Sequence, residues 1–150
     1  MRSPYKQGFF APRFPKKYTG KPPIVYRSGL ELKFMRWIDE NTNVVNWGSE
    51  SIVVPYQSPV DGKIHRYFVD LNIDLKESQT GKIIKYLVEI KPAKQLLRPD
   101  PKRKNKRSLL YEQLEYAKNM SKWHAAKAWC ESNGRKFLIL TEKNLPNLSP

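Results

Sequence analysis

Two runs of alternating residues constrain this chain more than anything else in it. Ile64–Leu75 and Lys82–Lys91 alternate apolar and polar side chains, and Ser78-Gln79-Thr80-Gly81 between them is a turn signal. In the first run Tyr67, Val69, Leu71 and Ile73 share one face, and Arg66, Phe68, Asp70, Asn72 and Asp74 share the other. In the second, Ile84, Tyr86, Val88 and Ile90 oppose Lys85, Leu87, Glu89 and Lys91. A hairpin that turns both apolar sets to one core must pair odd positions with even ones. Asp70 and Glu89 then share the opposite face. A turn centred between Gln79 and Thr80 sets Asp70 across from Glu89 and Asp74 across from Lys85. Opposed Cβ atoms lie about 4.5–5.5 Å apart, and carboxylates that close repel unless a cation or a proton sits between them. Such a pair followed by Lys91 suits a divalent-cation site for phosphate chemistry, with Mg²⁺ the natural ion for oxygen ligands. Lys91 could orient a water or neutralise developing charge. The plainer reading of the same pattern is a half-exposed sheet face with ordinary polar residues.

Other elements can be placed around this hairpin. Ser28-Gly29-Leu30-Glu31 has capping-box spacing, so a helix should start at Ser28, with Leu30, Phe34, Trp37 and Ile38 as its apolar stripe, and fade near Asn41. Glu31 reads first as a capping residue. A strand is expected over Ser51–Gln57, with a turn at Asp61-Gly62. Pro92 stops the Lys82–Lys91 strand. A long helix is expected over Ser108–Asn133, its inner stripe being Leu110, Leu114, Ala117, Ser121, Ala125 and Ala128, with Gly134 as C-terminal cap. A last strand, Phe137–Thr141, follows. The order is helix, three strands, helix, strand. This is an α/β class fold, in which the final strand–helix–strand crossover implies a mixed sheet covered by helices.

Charge is concentrated. The formal net charge is +14. Residues 1–30 hold seven basic residues and no acid, residues 91–107 hold eight basic residues and one acid, and the remainder is neutral. Residues 1–23 also hold five prolines among Tyr5, Phe9, Phe10, Phe14 and Tyr18, which reads as a basic N-terminal arm ahead of a domain over 24–150. Its aromatics either stack on bases, fill grooves on a partner or pack back on the domain. Basic segments of this kind favour nucleic acid over acidic protein, and the candidate phosphate contacts are Lys16, Lys17, Lys94, Arg98, Lys102, Arg103, Lys104, Lys106 and Arg107. Nothing points to base-specific readout. One cysteine excludes an internal disulfide, and with two histidines it excludes the usual structural zinc site. His65 and His124 read as surface residues, Cys130 as a small apolar residue, and Trp37, Trp47, Trp123 and Trp129 as core. No Walker loop or Gly-x-Ser-x-Gly elbow is present. No apolar run reaches membrane length and no secretory stretch opens the chain, so it is expected to be soluble and intracellular, with no membrane partner.

Taken together, Arg27-Ser28-x-x-Glu31, Trp47-x-Ser49-Glu50-x-Ile52, Pro55-Tyr56, Arg66-Tyr67-x-x-Asp70 and Glu89-x-Lys91-Pro92 resemble the PD-(D/E)xK nuclease superfamily. Val69 stands where the superfamily's name has proline. The form is similar to the endonuclease subunit of heteromeric transposases and, over the whole chain, to the head completion nucleases of T-even-type phages. The resemblance implies a restriction-endonuclease-like core and a Mg²⁺-dependent DNA nuclease, with Mn²⁺ able to substitute. It implies Asp70, Glu89 and the Ile90 carbonyl as metal ligands, Glu31 as a ligand or a close neighbour of one, Lys91 as the residue that positions the water, and Gln113 as an accessory group. The substrate would be packaged double-stranded phage DNA or its ends during head completion and head–tail joining. Portal, neck or other head-completion proteins would be partners. The site would be the host cytoplasm during assembly, with retention in the virion open. A cut through both strands would need a homodimer or a partner. The alternative is a structural neck protein that grips the DNA end, with cleavage incidental.

Overall fold

The computed structural model describes residues 7–102 and 105–145. Its elements run β1 (Gly8–Phe10), β2 (Ile24–Tyr26), α1 (Gly29–Glu40), β3 (Val44–Ser49), β4 (Val53–Gln57), β5 (Ile64–Phe68), β6 (Leu71–Lys76), β7 (Ile83–Ile90), α2 (Lys106–Ser132) and β8 (Lys136–Leu140). The central sheet has the order β3-β6-β7-β8. Its first three strands are antiparallel, and β8 returns parallel to β7 through the α2 crossover. This is the mixed sheet with flanking helices expected from the sequence.

One face of the sheet packs α1. Phe34, Met35 and Ile38 meet Val44 and Trp47 of β3, Leu71 and Ile73 of β6, and Val88 and Ile90 of β7. The other face packs the second half of α2. There Trp123, Ala126 and Cys130 meet Leu87, Val69 and the β4–β5 hairpin through Val54, Tyr56 and Tyr67. Gly62 and Gly81 adopt φ of 71° and 73° in the two hairpin turns, a conformation that a Cβ would strain.

Three points of this reading need correcting. Ile64–Leu75 is not one strand. β5 pairs with β4 in a separate two-stranded sheet, and β6 joins the central one. Period two therefore fails between Val69, which faces α2, and Leu71, which faces α1. The strand β3 was not expected at all. The stripe expected on α2 is the wrong one, since Leu110, Leu114 and Met120 are exposed and Trp123, Ala126 and Cys130 are buried. Only the C-terminal half of this helix lies on the sheet.

From residue 8 the N-terminal segment packs on the domain as a strap. β1 pairs with β2, and the rings of Phe10 and Tyr18 meet Trp47 edge-on at 5.9 and 4.8 Å. The buried Asp39 carboxylate accepts from the N–H groups of Arg13 (2.7 Å) and Phe14 (3.1 Å). Lys17 is held against the domain. Its ammonium donates to the carbonyls of Ile38, Asp39 and Asn41 at 3.1, 2.7 and 2.7 Å, capping the C-terminus of α1 where carbonyls have no helical partner. Lys17→Met should lower unfolding stability by about 1–2 kcal/mol, read in a urea melt, and leave DNA affinity within about twofold. A loss of affinity without loss of stability would return Lys17 to the DNA.

Candidate active site

A cavity of about 390 Å³ opens at the C-terminal end of β7, and each side chain in it has a local reason to be there. Ser28 caps α1, accepting from the Glu31 N–H at 3.1 Å. The Glu31 carboxylate reaches past the cap to the Arg27 N–H at 3.0 Å. This is one residue beyond the reciprocal bond of a capping box, and it turns Glu31 toward the cavity. Arg27 grips Glu50 through Nε (2.8 Å) and Nη2 (3.2 Å). Glu50 sits just after β3 with φ 51°, a left-handed conformation costly for a non-glycine residue. Its N–H donates to the Asp70 carbonyl at 3.0 Å.

Asp70 occupies the break between β5 and β6. Its Oδ2 accepts from the Ile90 N–H at 2.7 Å. The β6–β7 register pairs Leu71 with Val88 and Asp74 with Lys85, as the turn position required. Continued by one residue, it brings Asp70 to Glu89. Glu89 is 5% exposed, and Lys91 Nζ stands 4.0 Å from its Oε2. Burial first, and the facing Glu89 second, push the Asp70 carboxyl well above the usual carboxylate range. Burial, with Glu50 and Glu89 nearby, raises Glu31 as well, against the N–H bond from Arg27. Two acids held this close, in so little water, accept a proton or a cation readily.

The structure thus brings Glu31, Asp70, Glu89, Ile90 and Lys91 to one cavity. Among the described residues, no three His, Cys, Asp or Glu side chains close into a complete metal cage. Gln113 is not at this cavity; it lies on the exposed face of the α2 half that leaves the sheet. Lys122, two turns further along α2, lines the cavity instead. Its ammonium lies over the rings of Tyr67 (5.2 Å) and Tyr56 (5.9 Å), and burial lowers its pKa. Tyr67 is held as a neutral phenol by burial and by Glu89, and its hydroxyl is buried without a hydrogen-bond partner. Arg66 and the half-exposed Phe68 stand among the cavity's lining residues, the guanidinium 5.6 Å from the ring.

Sequence reasoning passed over Arg27 and Glu50 as chemistry, although both stand inside the quoted motifs. Nothing in the sequence marks Lys122 apart from the other lysines of α2. With these residues included, four acids (Glu31, Glu50, Asp70, Glu89) meet four cations (Arg27, Arg66, Lys91, Lys122), so the cavity is formally balanced rather than anionic. Of the loop cations, Lys94, Arg98, Lys102, Lys106 and Arg107 are exposed, as is Lys16, while Arg103 and Lys104 lie outside the described residues.

The profile of TnsA-like endonuclease N-terminal domains matches residues 41–142, which hold Asp70, Glu89, Lys91 and Lys122. The chain is also 38% identical, over 143 residues and 92% of each protein, to the head completion nuclease of Enterobacteria phage T4. The profile spans more than half of the chain, and the chain belongs to the TnsA-like endonuclease family.

Proposed function

We propose that the protein is a divalent-metal-dependent deoxyribonuclease that cuts phage DNA, or trims its ends, as heads are completed and joined to tails. The observation that carries this reading is the facing pair Asp70–Glu89 with Lys91 beside it. The donor set fits Mg²⁺, which is held by one or two carboxylates and completes its shell with water and substrate phosphate. Asp70 and Glu89 would hold it, with the Ile90 carbonyl and Glu31 as further oxygens. A bound divalent cation would offset the carboxylate charge, polarise the scissile phosphate and lower the pKa of an attacking water.

The chain's own residues do the rest. Part-buried Asp70 keeps its geometry through the Ile90 N–H and the Glu50 N–H, and Glu89 is buried beside it. Lys91 is close enough to Glu89 to stay oriented, and long enough to reach a water or a phosphate oxygen. Arg27 and Lys122 add fixed positive charge where the phosphate must sit. Exposed loop cations hold the strand by sequence-independent contacts.

The T4 relative's name supports phage head proteins as partners and host-cell assembly as the setting. Among the described residues no helix is long and apolar enough to cross a membrane. The decisive test is digestion of plasmid and linear DNA in Mg²⁺ and in EDTA. Cleavage in Mg²⁺, restored by Mn²⁺ and absent in EDTA, is expected. Cutting that persists in EDTA would remove the metal from the reading.

A further inference from the structure

A groove of about 890 Å³ adjoins the cavity of the paired acids and shares Lys91 with it. Its two walls differ in chemistry. One wall, running from the end of β7 along the following loop, carries Lys91, Lys94 and Arg98, with Asp100 beyond them, and is net cationic. The other is the N-terminal half of α2, which has left the sheet and packs nothing from the core. It presents Tyr111, Tyr116, Asn119, Glu112 and Glu115 and contributes no cation to the groove. Glu115 is paired with Lys118 at 3.6 Å. Tyr111 is 65% exposed, and Leu97, across from the helix wall, 69%. Large rings left this open on an unpacked helix have flat faces to offer.

A DNA duplex lying in such a groove would set phosphates against both walls, and the helix wall offers no cation to one row of them. A single strand has two unlike edges. Its phosphates match the cationic wall, and its bases match tyrosine rings and amide or carboxylate acceptors. We infer that this groove binds a single-stranded DNA segment, phosphates toward Lys94 and Arg98 and bases on Tyr111 and Tyr116, and leads it past Lys91 into the catalytic cavity. The preferred substrate is therefore a DNA end that carries a single-stranded tail. The inference rests on the nuclease reading above, whose cavity the groove adjoins.

The test measures binding in EDTA, where nothing is cut. The probes are a fluorescent single-stranded oligonucleotide and a hairpin-capped duplex of equal length. Tyr111→Ala and Tyr116→Ala should each weaken single-strand binding about tenfold, and Tyr→Phe at either site should keep it within about twofold. Duplex binding should stay within about twofold throughout. Tyr111 is exposed and Tyr116 part-exposed on a half of the helix away from the sheet, where alanine suits the helix. A second measurement needs no variant: photocrosslinking of a bromouracil-substituted strand to the wild type should give adducts at Tyr111 or Tyr116. Equal losses on both probes, unchanged single-strand affinity, or adducts confined to other residues would overturn the groove as a single-strand path. Those results are distinct from a failed nuclease reading. There, Mg²⁺-dependent cutting is absent whatever the groove binds.

Discussion

Asp70→Ala should leave a folded protein that binds DNA and does not cut it. The expected loss in Mg²⁺-supported cleavage is on the order of a thousandfold or more, the scale of removing a principal charge-stabilising group from a preorganised site. The reason is geometric. Asp70 both faces Glu89 and is clamped to the strand carrying it, through the 2.7 Å bond from the Ile90 N–H. Without it Glu89 is a lone buried acid, and Lys91 is its nearest counter-charge. Lys91→Ala should lose activity on a similar scale by a different route, with cation binding kept and the rate lost. DNA affinity in EDTA should stay within about twofold for Asp70→Ala, because the exposed loop cations are untouched. Full cutting by either variant would overturn the catalytic assignment. Phage assembly with Asp70→Ala separates the structural alternative: heads that complete normally with a dead site would make cleavage incidental.

Asp70→Asn should make the metal-free protein more stable at alkaline pH, although it destroys the site. Burial and Glu89 raise the folded-state pKa of Asp70 above its unfolded value. Between those two values the folded chain keeps a proton that the unfolded chain has released. Stability is then highest on the acid side of that window and falls as pH rises through the folded pKa. Glu31 contributes with the same sign, again chiefly through burial. Asparagine is nearly isosteric, its Oδ1 can still accept the Ile90 N–H, and it carries no charge to bury. The wild type should therefore melt at lower temperature at pH 8 than at pH 5.5, and Asp70→Asn should flatten that slope. Each kcal/mol recovered would appear as about 2–4 °C in Tm for a chain of this size. Mg²⁺ should raise the wild-type Tm at pH 8 and leave that of the asparagine variant unchanged. A variant less stable than wild type at pH 8 would show that the Asp70 charge is already compensated in the apo protein.

Parts of this arrangement can be read from sequence because they rest on local chemistry. The start of α1 follows from one serine hydroxyl and one N–H. The β6–β7 register follows from a single glycine-bearing turn, and that turn carries Asp70 to Glu89. Other parts were hidden because they depend on what lies opposite. β3 mixes valines, Trp47 and Gly48 without alternation, and only the edges of α1 and β6 make it a strand. The α2 stripe misled because Leu110 and Leu114 outweigh alanine and cysteine on any hydrophobic count, yet the sheet ends before it reaches them. Lys17 lies in a run of positive charge and is distinguished only by three carbonyls of another segment that accept from its ammonium. Lys122 is one of several lysines on its helix, and only the helix's rotation sets it over Tyr56 and Tyr67.

The break between β5 and β6 has a consequence for how such a protein can change over time. Asp70 is tied to the central sheet by the Ile90 N–H and to the end of β3 by the Glu50 N–H, and neither tie passes through the β4–β5 hairpin. The hairpin tip around Gly62 can therefore lengthen, shorten or acquire new side chains while the spacing between the paired acids stays fixed. Variation can remodel what the enzyme grips independently of how it cuts.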